Sequence, residues 1–194
     1  LFNLIARKQR NILSIIRISL GFIQKTARMN NISTYIKQRL SLREPLAEAL
    51  EVLTKLVDKL SLSKPDKQEN KEAEEAEYKE YLENQLQSIK EVCPSCRDFE
   101  RDFPSFAFSI ATGIGKTRLM GACIAYLYLT KGIKHFFILA PNLTLYEKLM
   151  RDFGDPSYEK YVFKGISEFV HNEPYVITGD NYNMARNLFS ENQI

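Results

Sequence analysis

The sequence lacks several things that would set its class at once. Three cysteines in 194 residues cannot make a disulfide framework, and they fit a reducing, cytoplasmic setting. The longest uncharged stretches, Leu119–Thr130 and His135–Tyr146, run 12 residues each. A membrane-spanning helix needs about 20, so no membrane partner is expected. No internal repeat is present. No secretory signal opens the chain, because Arg17 interrupts the early apolar run and no small-residue cleavage site follows. Hydrophobic residues at 44% and charged residues at 26% exclude a disordered or fibrous chain.

The net charge of +3 conceals a division along the chain. Residues 1–64 hold 12 basic and 4 acidic side chains, residues 65–102 hold 6 and 12, and residues 103–194 hold 9 and 8. Four regions are expected from this. Residues 1–28 form a basic extension with six cations and no acid, read as upstream of a natural start at Met29. Residues 29–64 are helical: Leu42, Leu46, Ala49, Leu50, Leu53, Leu56, Val57 and Leu60 recur at helical spacing, with Pro45 placed in a first turn. After a break at Ser61–Asp66, residues 65–102 form an acidic helical linker whose later half has a stripe through Leu82, Leu86 and Ile89. Residues 103–194 carry the chemistry. The start at Leu1 and the stop at Ile194 suggest a fragment.

Cys93-Pro94-Ser95-Cys96 supplies two thiolates at metal-knuckle spacing, whereas a structural zinc takes four ligands. Cys123, His135 and His171 stand at no partner spacing, so a tight turn with two free thiols is expected.

Phe106–Ile110 reads as a short strand buried on both faces, and Ala111-Thr112-Gly113-Ile114-Gly115-Lys116-Thr117 follows it directly. The apolar run Arg118–Thr130 then reads as a buried helix. Strand, glycine loop and helix in this order are the setting of a phosphate-binding loop. Gly113 and Gly115 let backbone N–H groups approach phosphate oxygens with no Cβ in the way. The helix beginning near Lys116 aims its unpaired N–H groups at the same anion, and Lys116 adds a full charge for the β- and γ-phosphates. Thr117 offers a hydroxyl to Mg²⁺. Thr112, Gly113, Ile114, Gly115, Lys116 and Thr117 are therefore the candidate ATP phosphate-binding residues, with Thr117 the candidate metal ligand. Further strand-like segments at Phe136–Ala140, Tyr161–Phe163 and Tyr175–Thr178 alternate with helical ones. That alternation implies a parallel α/β sheet with flanking helices.

The first position of the loop is Ile110, where the general G-x-x-x-x-G-K-[ST] pattern has glycine. The string from Ile110 to Thr117 resembles motif I of superfamily 2 helicase-type ATPases, which reads A-T-G-x-G-K-T after a hydrophobic residue. His135–Phe153 looks like the following motif Ia with its helix. Across residues 103–182 the likeness is to DEAD/DEAH-type proteins identified as type III restriction enzyme R subunits. The resemblance implies a partial RecA-like domain, ATP and Mg²⁺ as cofactors, and double-stranded DNA and a modification (methyltransferase) subunit as partners. It also implies that Pro141, Asn142 and Thr144 touch the DNA backbone. Two other readings stand beside it: a different P-loop NTPase such as a kinase or partition ATPase, and a non-catalytic nucleic-acid-binding or assembly module using residues 1–64.

The departures from that family are specific. No D-E-x-H motif is present; Asp180 ends an apolar segment but Asn181 follows it, which reads as a turn. Leu42–Ala49 is similar to the family's L-R-x-x-Q-x-E-A, with Leu46 where the adenine-reading glutamine belongs. No nuclease motif or second ATPase domain is seen, and no catalytic residue is named. The expectation is nucleotide binding with negligible turnover. ATPase activity from these residues that depended on Lys116 would overturn it.

Overall fold

A computed structural model of the chain describes residues 31–62 and 71–185. The basic extension, Met29 and the break around Pro65 lie outside the described residues. Helices organise these residues: α1 over 31–39, α2 at Glu44–Lys59, α3 at Lys71–Lys90, α4 at Lys116–Lys131, α5 at Leu143–Gly154 and α6 at Ser167–His171, with residues 182–185 also helical.

Helix α2 is the central element. Pro45 lies in its first turn, where a missing N–H costs no helical bond, with Glu44 at the positive end and Lys59 at the negative end. Most of the apolar stripe read from the sequence is its buried face: Leu46, Leu50, Leu53, Leu56 and Val57 are buried, while Ala49 is half-buried and Ala47, not in that stripe, is buried instead. From Leu46 to Val57 this face shares a cluster with Leu119, Ala122, Ala125 and Tyr126 of α4, and Ile36 of α1 joins it. Toward the other end, Leu56 packs with Ile89 of α3 and with Phe99, flanked by the half-buried Leu82 and Leu86. Most of α3 faces water, and Gln85 and Ile89 are its buried residues. Gln85 is anchored: its Oε1 accepts from the Ser61 N–H at 2.9 Å, while the Tyr81 hydroxyl donates to the Ser61 carbonyl at 2.8 Å.

The apolar run after the loop forms α4, with half-buried side chains around much of its circumference. Gly121 marks its closest approach to another element. A Cβ there would meet Val162 Cγ1 at 1.9 Å, so only glycine lets residues 161–163 lie against this helix. Gly132, in the left-handed region at φ 68°, closes α4.

The expectation of a RecA-like parallel α/β sheet is overturned: the described residues contain helices and no strands. Phe106–Ile110, Phe136–Ala140 and Tyr175–Thr178 have no regular secondary structure. Their apolar composition suits a buried strand, yet a strand exists only through hydrogen bonds to a neighbour. No such ladder joins these segments among the described residues. They are not buried on two faces either: Phe137 is 88% exposed and Leu139 76%. Tyr161–Phe163 is buried, but as a turn whose Val162 N–H bonds to the Asp152 carbonyl at 2.8 Å. There it stacks aromatic rings, with Phe163 4.3 Å from Phe169 of α6 and 5.7 Å from Phe153 of α5. Gly121 thus makes room for an aromatic turn where the sequence suggested a sheet.

Among the described residues three buried side-chain atoms have no hydrogen-bond partner: the Tyr126 and Tyr161 hydroxyls in the core and Asp152 Oδ1. Tyr126 is fully buried and its hydroxyl has no hydrogen-bond partner. Burial first, and the Asp58 charge second, push its phenol up to about 12. Stranding a buried donor costs about 1–3 kcal/mol. Tyr126→Phe is therefore expected to raise the unfolding free energy by about 1 kcal/mol. Leu50→Ala, at a side chain 1% exposed, is expected to lower it by about 2–5 kcal/mol. Urea unfolding of the two variants checks both signs.

Candidate functional site

The loop that joins residues 104–110 to α4 has the backbone an anion requires. Gly113 (φ 81°) and Gly115 (φ 116°) both lie in the left-handed region, where an L side chain is strained. A Cβ on Gly113 would meet nothing within 4 Å, so the loop is open to solvent on that side. Gly115 has a floor instead: a Cβ there would sit 3.3 Å from Leu46 Cδ1 of α2. Ile110 and Ile114 pack against the main core and hold the loop to the same surface.

Gly115 is the N-cap of α4, and no side chain caps that end. The Arg118 N–H turns back to the Gly115 carbonyl at 2.9 Å, so Lys116 and Thr117 carry the N–H groups that this helix end leaves without a helical bond, and no acidic side chain stands in the turn. Lys116 is the first helical residue and is exposed. Thr112 and Gly113 form an exposed turn, and Thr117 is half-buried. The predicted phosphate residues, consecutive in the chain, thus run from an exposed turn into the first residues of α4.

Pro141, Asn142 and Thr144 are exposed at the start of α5. Asn142 is its N-cap, with Oδ1 accepting from the Leu145 N–H at 2.9 Å. Thr144 lies inside the helix.

Two residues that sequence reasoning missed join α5 to the loop. Lys148 Nζ donates to Thr117 Oγ1 at 3.1 Å and also bonds Asp152 Oδ2. Asp152 is 3% exposed, and its second oxygen, Oδ1, has no partner. The one signal in the sequence was the i,i+4 spacing of a lysine and an aspartate, which ordinarily marks a solvated surface pair. Thr144, Lys148 and Asp152 lie four residues apart and share one face of α5.

The remaining candidates separate from this site. Leu46, at the position where an adenine-reading glutamine was sought, is 1% exposed beneath the loop. Asp180 is an exposed turn residue, and its neighbour Asn181 makes the turn's bonds, accepting from the Thr178 N–H at 2.6 Å and donating to the Val176 carbonyl at 3.0 Å. Cys93 and Cys96 sit in a tight turn closed by a 3.0 Å bond from the Cys96 N–H to the Cys93 carbonyl, and both are free thiols. Among the described residues no cluster of histidine, cysteine or acid fits a metal ion. Among them also, no helix is long and apolar enough to cross a membrane.

A family model described as "Type III restriction enzyme, res subunit" matches residues 74–193, well over half of the chain. The chain belongs to this Res subunit family. Within it, a stretch of 70 residues is 36% identical to a protein of Haemophilus influenzae described as a probable type III restriction-modification enzyme HindVIP Res subunit. The alignment covers 32% of this chain and 13% of that relative's length. No solved structure matches. The match bears out the likeness to type III restriction enzyme R subunits read across residues 103–182.

The cysteines give a direct check on the packing. Burial pushes the Cys123 thiol up to about 12, so at neutral pH it is protonated and unreactive. Cys96 is also raised, by burial first and then by the nearby Cys93 and Asp98, with Lys90 opposing. Iodoacetamide at pH 7.5 is expected to label Cys93 and Cys96 while Cys123 stays at least roughly tenfold slower until denaturant is added. Mass spectrometry of the labelled peptides measures the order, and early labelling of Cys123 would contradict the α4 packing.

Proposed function

We propose that these residues bind the phosphates of ATP, with Mg²⁺, for a helicase-like, DNA-dependent ATPase of a type III restriction system acting in the cytoplasm. One observation carries the reading: a loop with two left-handed glycines runs directly into an uncapped helix N-terminus, with Lys116 and Thr117 as its first residues. Backbone N–H groups of Gly113–Thr117 meet the phosphate oxygens, and Lys116 places its ammonium against the β- and γ-phosphates. Thr117 and the partnerless carboxylate oxygen of Asp152 fit a divalent cation, which when bound neutralises phosphate charge. Family membership and the Haemophilus Res relative support the restriction setting, double-stranded DNA as the polymer and a modification (methyltransferase) subunit as partner.

Pro141, Asn142 and Thr144, exposed one to two turns from Lys148, are the proposed contacts to the DNA backbone. Backbone contacts made through phosphate weaken steeply as salt rises.

Lys116→Ala is expected to weaken binding of a fluorescent ATP analogue by at least about tenfold, since a charge-assisted phosphate contact is lost. Circular dichroism should be unchanged, because Lys116 is exposed. Equal affinity in wild type and variant, by equilibrium titration with Mg²⁺ present, would remove the phosphate-loop reading.

A further inference from the structure

We infer that Lys148 is a cationic latch on the metal face of the loop, held there by Asp152 and displaced when a divalent ion reaches Thr117. The inference rests on the phosphate-loop reading and adds to it a device for occupying the metal-binding hydroxyl in the nucleotide-free chain. An ammonium group has donors and no acceptor, so in the 3.1 Å contact the Thr117 hydroxyl must accept. The hydroxyl keeps a second lone pair, but an ammonium held 3.1 Å from its oxygen repels a divalent cation brought to the same atom. Lys148 and a divalent cation therefore compete for the same oxygen.

Asp152 decides where the latch rests. It is 3% exposed, and its Oδ2 holds the Lys148 ammonium. A buried carboxylate with a single cation is incompletely compensated, and here Oδ1 carries no hydrogen bond at all. The site thus has spare negative character pointing the same way as the exchange. When Lys148 swings out, its half-exposed side chain regains water, while Asp152 and Thr117 are left as two oxygens for Mg²⁺ or Mn²⁺. One positive charge leaves and two arrive beside one carboxylate and the incoming phosphates.

The test uses the whole chain without nucleotide and Mn²⁺ as the probe, with free Mn²⁺ read by electron paramagnetic resonance. Lys148→Met is expected to bind Mn²⁺ about tenfold or more tightly than wild type, because the competitor is gone and the carboxylate remains. Adding Asp152→Asn to that variant is expected to abolish the gain. A folded Lys148→Met with unchanged or weaker Mn²⁺ binding overturns the latch. Leaving Asp152 alone in the interior could unfold the single variant, so the wild type supplies a second measurement. Its Lys148 ammonium resonance, followed by ¹H–¹⁵N NMR, is expected to shift or broaden on adding Mg²⁺, and a resonance that stays fixed up to saturating Mg²⁺ overturns the proposal. Neither measurement involves nucleotide. Failure of ATP to bind would therefore count against the phosphate-loop reading and leave the two outcomes distinct.

Discussion

The contact between α2 and α4 is the constraint on which the rest depends. A loop that binds phosphate through its backbone must hold its N–H groups still, yet glycines at positive φ give it little rigidity of their own. The stiffness comes from below. Leu46 of α2 forms the floor under Gly115, while Leu119, Ala122 and Ala125 pin the helix that the loop feeds. The same face of α2 continues to Leu56 and the satellite core of α3, so the loop, the central helix and the acidic helix share one apolar support.

That arrangement explains which parts of the structure the sequence could reveal. The α2 stripe was legible because helical spacing alone fixes which side chains share a face, and Leu46, Leu50, Leu53 and Val57 are buried as that spacing requires. The loop was legible because its residue types are dictated locally, by backbone angles and charge. The sheet was a different kind of inference. Phe136–Ala140 and Phe106–Ile110 have the composition of buried strands, and composition reports a preference for burial without naming a partner. Strand pairing is a non-local property, so the inferred sheet was not contained in those segments taken singly.

Lys148 and Asp152 show the opposite limitation. Their i,i+4 spacing is the commonest kind of helical ion pair, and nothing local distinguishes a solvated one from one whose acid is buried. Next to this pair lies the 161–163 turn, which packs beside α4 only because position 121 lacks a side chain, and which bonds to the backbone carbonyl of Asp152. Leu46 was similarly misleading: within an apparent base-reading string, it serves as a structural prop under the loop.

The cap at Asn142 has a further consequence. A primary amide has one face that accepts and one that donates. By spending its oxygen on the Leu145 N–H, Asn142 fixes the orientation of the whole group and turns its NH₂ toward solvent. Together with the free amides of the first turn of α5, this makes the tip of that helix a surface of hydrogen-bond donors. Such a surface is one-sided in its polarity, matched to groups that accept hydrogen bonds and poorly matched to groups that only donate them.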